Sequence, residues 1–284
     1  MKKANIIVLS GQSNAVGVGH FSCLPKHFSP ERIQKWCDGY DNILINYFSH
    51  DKKSDGFVKT TVGCTEVSKK TIGPELGIAE ALDQRYPGQE FFIVKCAFGG
   101  MTLFRDFLSP SGGKEYDPLS YADQKENIIC NYNTGEPVRA GWCYNELVKI
   151  LWESIAALQA NGYEPAIRAF CWMQGESDTA TEEIMDGYVR RYDAMLRDFK
   201  AEFCKYLDRC VYIDAGISET WGGHYRLNAL KKEYADRRAD CVYIDTIAAG
   251  LTVGNEPDGE PDIAHYDSDS VIRLGHLFAE EIKI

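Results

Sequence analysis

Asn5-Ile6-Ile7-Val8-Leu9-Ser10-Gly11-Gln12-Ser13-Asn14 reads as a strand that passes directly into a turn. Its aliphatic residues run together with no helical period, which suits a strand covered on both faces of a parallel sheet, and Gly11 closes it. Similar short apolar runs recur at Phe91 to Ala97, Ala166 to Trp172, Val211 to Ala215 and Val242 to Asp245. Helical spacing lies between them. Tyr144, Leu147, Val148, Leu151, Ile155 and Leu158 step by three and four, as do Ile184, Tyr188, Tyr192, Met195, Leu196 and Phe199. Thr179 and Glu182 have capping-box spacing and place the start of the second helix just after Asp178. Pro74 opens a shorter helix through Arg85, and Asp267 or Ser268 opens the last one through Ile282.

This alternation predicts an α/β chain with a mostly parallel sheet. Residues 17–73 and 101–141 break it and are expected as long structured loops, which in a compact α/β protein line a site or lie as solvated insertions. No repeat, low-complexity tract or linker divides the chain, so a single domain over 1–284 is expected.

Of the 284 residues, 44% are hydrophobic and 26% charged, a globular composition. The formal net charge of -11 argues against a nucleic-acid partner, which needs clustered Lys and Arg. The apolar run near the N-terminus is far shorter than a signal-peptide core or a membrane span, so no membrane partner and a cytoplasmic location are expected. Ten cysteines without a C-x-x-C pair read as reduced, mostly buried thiols.

In open α/β sheets ligands bind beyond the carboxyl ends of the strands. The segments there are unusual: Gly11-Gln12-Ser13-Asn14, Gly99-Gly100, Gln174-Gly175-Glu176-Ser177-Asp178 and, near the end, Asp262-Ile263-Ala264-His265. Ser13 is a candidate nucleophile, since a hydroxyl on a glycine-bounded turn can be held beside free backbone N–H groups; read alone, a serine in such a turn is more often a turn former or helix cap. It does not sit in a G-x-S-x-G elbow, because Ala15 stands where that pattern has Gly. His265 supplies a base that titrates near neutrality, and Asp262, three residues before it, can orient the ring. The surrounding Asp258, Glu260, Asp267 and Asp269 also admit a solvated acidic loop or a loose Ca²⁺ loop, although their order does not match an EF-hand. Gly100 can present an N–H to an oxyanion and Gln174 a side-chain amide, while Glu176 can brace loops or stand in as the orienting acid. Trp142, Tyr116, Tyr121, Phe104 and Arg105 are candidates for a wall of the site, although buried packing explains such aromatics at least as often. The remaining histidines lack metal-ligand spacing.

Taken in order, the four blocks resemble the SGNH hydrolase superfamily, and within it the sialate O-acetylesterase and acetylxylan esterase-like group, carbohydrate esterase family 6. The resemblance spans nearly the whole chain. It implies a three-layer α/β/α flavodoxin-like fold with long loops over the strand ends. It also implies ester hydrolysis without metal or cofactor, removing acetyl groups from small carbohydrates or oligosaccharides such as acetylxylan or O-acetyl sialic acid. Carried over residue by residue, Ser13 is the nucleophile, His265 the base and acid, and Asp262 its partner, with Glu176 an alternative. The Ser13 and Gly100 N–H groups and the Gln174 side chain form the oxyanion hole, and Gln12 and Asn14 complete the oxyanion or substrate-binding set. Gln174 replaces the superfamily's usual Asn, which leaves the third oxyanion donor open. A thioesterase, lipid esterase or acyltransferase on the same scaffold, or a carbohydrate-binding protein without activity, are the rival readings.

Overall fold

A computed structural model describes residues 2–50, 52–65, 71–113 and 140–284, together with the backbone of 129–130 and 137–138. The elements are β1 (Lys2–Gly11), α1 (Ser13–Val16), α2 (Pro30–Asp38), β2 (Tyr40–Ser49), α3 (Pro74–Arg85), β3 (Phe91–Ala97), α4 (Trp142–Ala160) and β4 (Tyr163–Met173). They continue with α5 (Glu182–Asp186), α6 (Tyr188–Glu202), β5 (Leu207–Ala215), α7 (His224–Asp236), β6 (Cys241–Ile244) and α8 (Ser268–Glu281). The central sheet has the order β6-β5-β4-β1-β3-β2, all parallel, and two short antiparallel strands, Lys52–Lys53 and Val58–Thr60, extend it beyond β2. Without β2 this is the flavodoxin-like order 2-1-3-4-5, in which a ligand sits where the chain switches from one side of β1 to the other.

Register decides where the site falls. Gly11 pairs with Ala97 on one side and Met173 on the other, Ala97 with Ser49, Met173 with Ala215, and Ala215 with Ile244. All six parallel strands therefore end level, and the loops leaving them share one rim. Ile6, Ile7, Val8 and Leu9 of β1 are wholly enclosed, each contributing roughly 1.5–3 kcal/mol of hydrophobic stabilisation relative to exposure. Helices cover the sheet: α3 packs along α8, and α4 meets α6 and the turn after it through Trp152, whose ring lies 5.2 Å from that of Phe203.

Two sequence expectations change. Residues 17–73 are not simply loop, since they hold α2 and β2, the outermost of the parallel strands; in β2 the apolar run is interrupted by Asn46, a buried polar residue whose Nδ2 donates to Ser154 Oγ at 2.8 Å. The helix expected from just after Asp178 is two, α5 and α6, meeting at Gly187. The cap is Thr181, whose hydroxyl accepts from Ile184 N, whereas Thr179 Oγ1 donates to the Glu176 carbonyl in the preceding turn. The nine described cysteines form no disulfide. No described helix is long and apolar enough to cross a membrane.

Candidate active site

At the end of β1 the backbone makes its closest approach to β4. Gly11 has φ +141°, and a Cβ there would fall 1.9 Å from the Met173 carbonyl oxygen, so only glycine fits. Gln12 N then donates to that same carbonyl at 2.9 Å, and the chain turns into α1 with Ser13 as its first residue. Ser13 is partly exposed, while Gln12 and Asn14 on either side are buried.

Asn14 is the junction of the site. Its Nδ2 donates to Glu176 Oε1 at 2.8 Å, and its Oδ1 accepts from Tyr266 N at 3.1 Å. The residue after Ser13 is thus bonded directly to the residue after His265, and the two ends of the chain meet at one rim. His265 Nδ1 lies 2.6 Å from Asp262 Oδ2. Asp262 Oδ1 accepts from Ala264 N at 2.8 Å and His265 N at 3.3 Å, folding the segment into a tight turn around its own carboxylate. Burial alone would raise the Asp262 carboxyl, but the His265 ring and these N–H donors outweigh it and hold the group below the usual aspartate value. Trp221, which the sequence did not mark, ties this turn to the loop before α7 by donating from Nε1 to the Ala264 carbonyl at 3.3 Å. Among the described residues Ser13 Oγ and His265 Nε2 have no hydrogen-bond partner.

Glu176 is not placed as the orienting acid of His265, the alternative role expected for it. It is buried, its one hydrogen-bonded oxygen is spent on Asn14, and Oε2 has no partner. Burial pushes its carboxyl up, only partly opposed by hydrogen bonds and by the more distant Lys231 and His265 charges. It is a brace beneath the turn.

Gln174 also departs from expectation. Its amide nitrogen is fully buried and committed to Asp178 Oδ2 at 2.6 Å, with Gln12 Oε1 and the Met101 carbonyl each at 3.2 Å. Two N–H bonds directed at three protein acceptors leave none for an oxyanion. Gln12 is complementary. Its Oε1 collects Gln174 Nε2 at 3.2 Å, Ser177 N at 3.2 Å and Gly175 N at 3.4 Å, fixing the amide plane. Its Nε2, beside Ser13, has no acceptor among the described residues. Asn14 is likewise a buried bridge rather than a substrate-facing group.

The second block joins the same frame. Phe98 N donates to the Gly11 carbonyl at 3.1 Å. Gly100, at φ +72°, is exposed, and its N–H has no partner among the described residues. Asp178 latches the following loop by accepting from Leu103 N at 2.8 Å and Phe104 N at 2.9 Å. Burial pushes Asp178 up to about 6 despite these donors. His50, at the end of β2, places Nδ1 3.4 Å from Gly99 N. The sequence put His50 in the first long loop region and left it either structural or substrate-contacting, because its strand was read as loop.

Of the proposed wall, Trp142 packs on Phe98 at 4.6 Å between ring centroids, Arg105 pairs with Asp106, and Tyr116 and Tyr121 lie outside the described residues. The acidic residues near His265 diverge. Asp258 pairs with Lys26, and Asp267 accepts from Thr252 and Asn255. Among the described residues no three His, Cys, Asp or Glu side chains gather as a metal site.

The family of carbohydrate esterases described as sialic acid-specific acetylesterases matches residues 3–283. The chain belongs to that family. It is a carbohydrate esterase, and the family supports hydrolysis of acetyl esters. Solved structures agree on the fold. A protein of Arabidopsis thaliana is 19% identical with a TM-score of 0.65, the match covering 98% of this chain and 97% of that one. A carbohydrate acetylesterase from Xanthomonas citri is 15% identical with a TM-score of 0.57, covering 97% of this esterase and 55% of the other chain. No curated protein sequence matches this one.

Proposed function

We propose that this esterase removes acetyl groups from small carbohydrate esters through a Ser13-His265-Asp262 acyl-enzyme mechanism. The observation that carries the reading is the Asn14 bond to Tyr266 N, which holds the Ser13 turn against the His265 turn. His265 Nε2 takes the Ser13 proton as Ser13 Oγ attacks the acetyl carbonyl, while Asp262 fixes the ring through Nδ1 and stabilises the imidazolium. The Ser13 and Gly100 N–H groups hold the oxyanion, with Gln12 Nε2 as the third donor in place of Gln174. The tetrahedral intermediate collapses as His265 returns the proton to the departing sugar oxygen. Water, deprotonated by the same ring, then cleaves the acyl-enzyme. O-acetyl sialic acid, acetylxylan fragments and other acetylated sugars are the substrate candidates, and the cytoplasm the proposed location.

The test is covalent labelling with a fluorophosphonate, located by mass spectrometry, alongside acetate release from a panel of acetylated sugars, short p-nitrophenyl esters and acyl thioesters. Labelling at Ser13 with release from the sugars is expected. An unlabelled protein, or one whose Ser13→Ala variant keeps full esterase activity, contradicts the assignment.

A further inference from the structure

A charge stands in the middle of an otherwise apolar strand. In Phe91–Ala97, Lys95 is wholly buried, as is Glu75 at the start of α3, and Lys95 Nζ lies 2.7 Å from Glu75 Oε2. The same ammonium donates to the Val16 carbonyl at 2.7 Å and the Cys64 carbonyl at 3.0 Å, using all three of its N–H bonds. Val16 is the last residue of the four-residue α1 whose first is Ser13. Next in the chain, Gly17 rests on Gly73, two residues before Glu75, so closely that a Cβ on Gly17 would lie 2.2 Å from the Gly73 Cα. One segment therefore supplies both the counter-charge of Lys95 and the floor under α1.

An enclosed ion pair is a poor way to gain stability, since well-packed apolar residues of the same volume do as well or better. What this pair supplies that an apolar pair cannot is a directed bond to the far end of the serine turn. We infer that the Lys95–Glu75 pair is a positioning device that holds the Val16 carbonyl and thereby aims Ser13 at His265. Lys95 touches no substrate and acts through α1. The inference rests on Ser13 being the nucleophile.

The test compares the full chain with its Lys95→Met and Arg168→Met variants. Arg168 is a similarly buried cation toward the opposite strand ends, donating to Asn5 Oδ1 at 2.9 Å, and serves as a stability control. The fluorophosphonate labelling rate of Ser13, and kcat and KM for p-nitrophenyl acetate, are measured at a temperature where circular dichroism shows each variant folded. Lys95→Met should label and turn over about 10- to 100-fold more slowly with KM little changed, as expected for a displaced nucleophile. Arg168→Met should lower the melting temperature and label at the wild-type rate. If Lys95→Met labels at the wild-type rate, the pair is only structural and the inference is overturned. If Lys95→Met does not fold, Glu75→Gln keeps the shape but removes the counter-charge; slower labelling supports the inference and an unchanged rate overturns it. A wild-type chain that fails to label at Ser13 refutes the nucleophile assignment instead.

Discussion

Asp262 stands on a turn whose side chain is 33% exposed, with an imidazole 2.6 Å away, whereas Glu176 is enclosed beneath the rim with one oxygen on an amide and the other on nothing. The His265 charge acts on both. Their environments push them in opposite directions, Asp262 below the usual carboxylate value and Glu176 above it. In the proposed mechanism the carboxylate that stabilises the transient imidazolium must touch the ring, and of the two only Asp262 is hydrogen-bonded to it. Glu176 instead fixes Asn14, which carries the coupling between the two ends of the chain. Partner and scaffold are thus separated by solvent access and by one hydrogen bond.

The difference is broken most severely by Asp262→Asn, which keeps the shape but removes the charge and favours the wrong ring tautomer. A fall in kcat on the order of 10⁴ is expected, measured on p-nitrophenyl acetate. Asn14→Ala should also cost on the order of 10² in kcat, because the serine and histidine turns lose their shared tie. It should also cost about 1–3 kcal/mol in urea unfolding, since a buried N–H and a buried carboxylate oxygen are left without partners. Gln12→Ala should lower kcat by about 10²–10³ if its amide is the third oxyanion donor. Gln174→Ala should act mainly on stability; were it Gln174→Ala that lost kcat at unchanged stability, the exchange of roles between these two glutamines would be wrong. Glu176→Gln can still accept from Asn14 and should leave kcat within about tenfold of wild type.

The smallest effects carry opposite signs with pH. Asp262, depressed in the folded state, contributes stability above the usual aspartate value that is lost as pH falls through its lowered one. Glu176, raised in the folded state, contributes stability below the usual glutamate value that is lost as pH rises through its elevated one. Melting temperatures across pH should therefore show the deficit of Asp262→Asn shrinking in acid, and Glu176→Gln gaining on wild type toward neutrality. Parallel curves for the two variants would erase the distinction.

The strand-turn boundaries were legible in the sequence because glycine marks them: Gly11, Gly99 and Gly175 each follow a buried apolar run whose length fixes the rim. The pairing of His265 with Asp262 was legible because three residues close one turn. β2 was not, since Asn46 breaks its pattern and the hydrogen bond that makes this burial tolerable comes from Ser154, 108 positions away. The tasks of Gln12, Asn14 and Gln174 were equally hidden. Which amide is spent on the scaffold depends on acceptors contributed by segments as distant as Met101, Ser177 and Tyr266. The break between α5 and α6 at Gly187 was hidden as well; across it the Arg191 guanidinium donates back to the Ile184 carbonyl at 3.0 Å.

A crystal structure of the fluorophosphonate adduct examines the meeting of the two chain ends most directly. The phosphorus should be bonded to Ser13 Oγ, with His265 Nε2 within about 3.2 Å of an adduct oxygen and the phosphoryl oxygen facing the Gly100 N–H. An adduct on another residue, or a His265 ring turned away from it with Glu176 in the place of Asp262, would contradict the account.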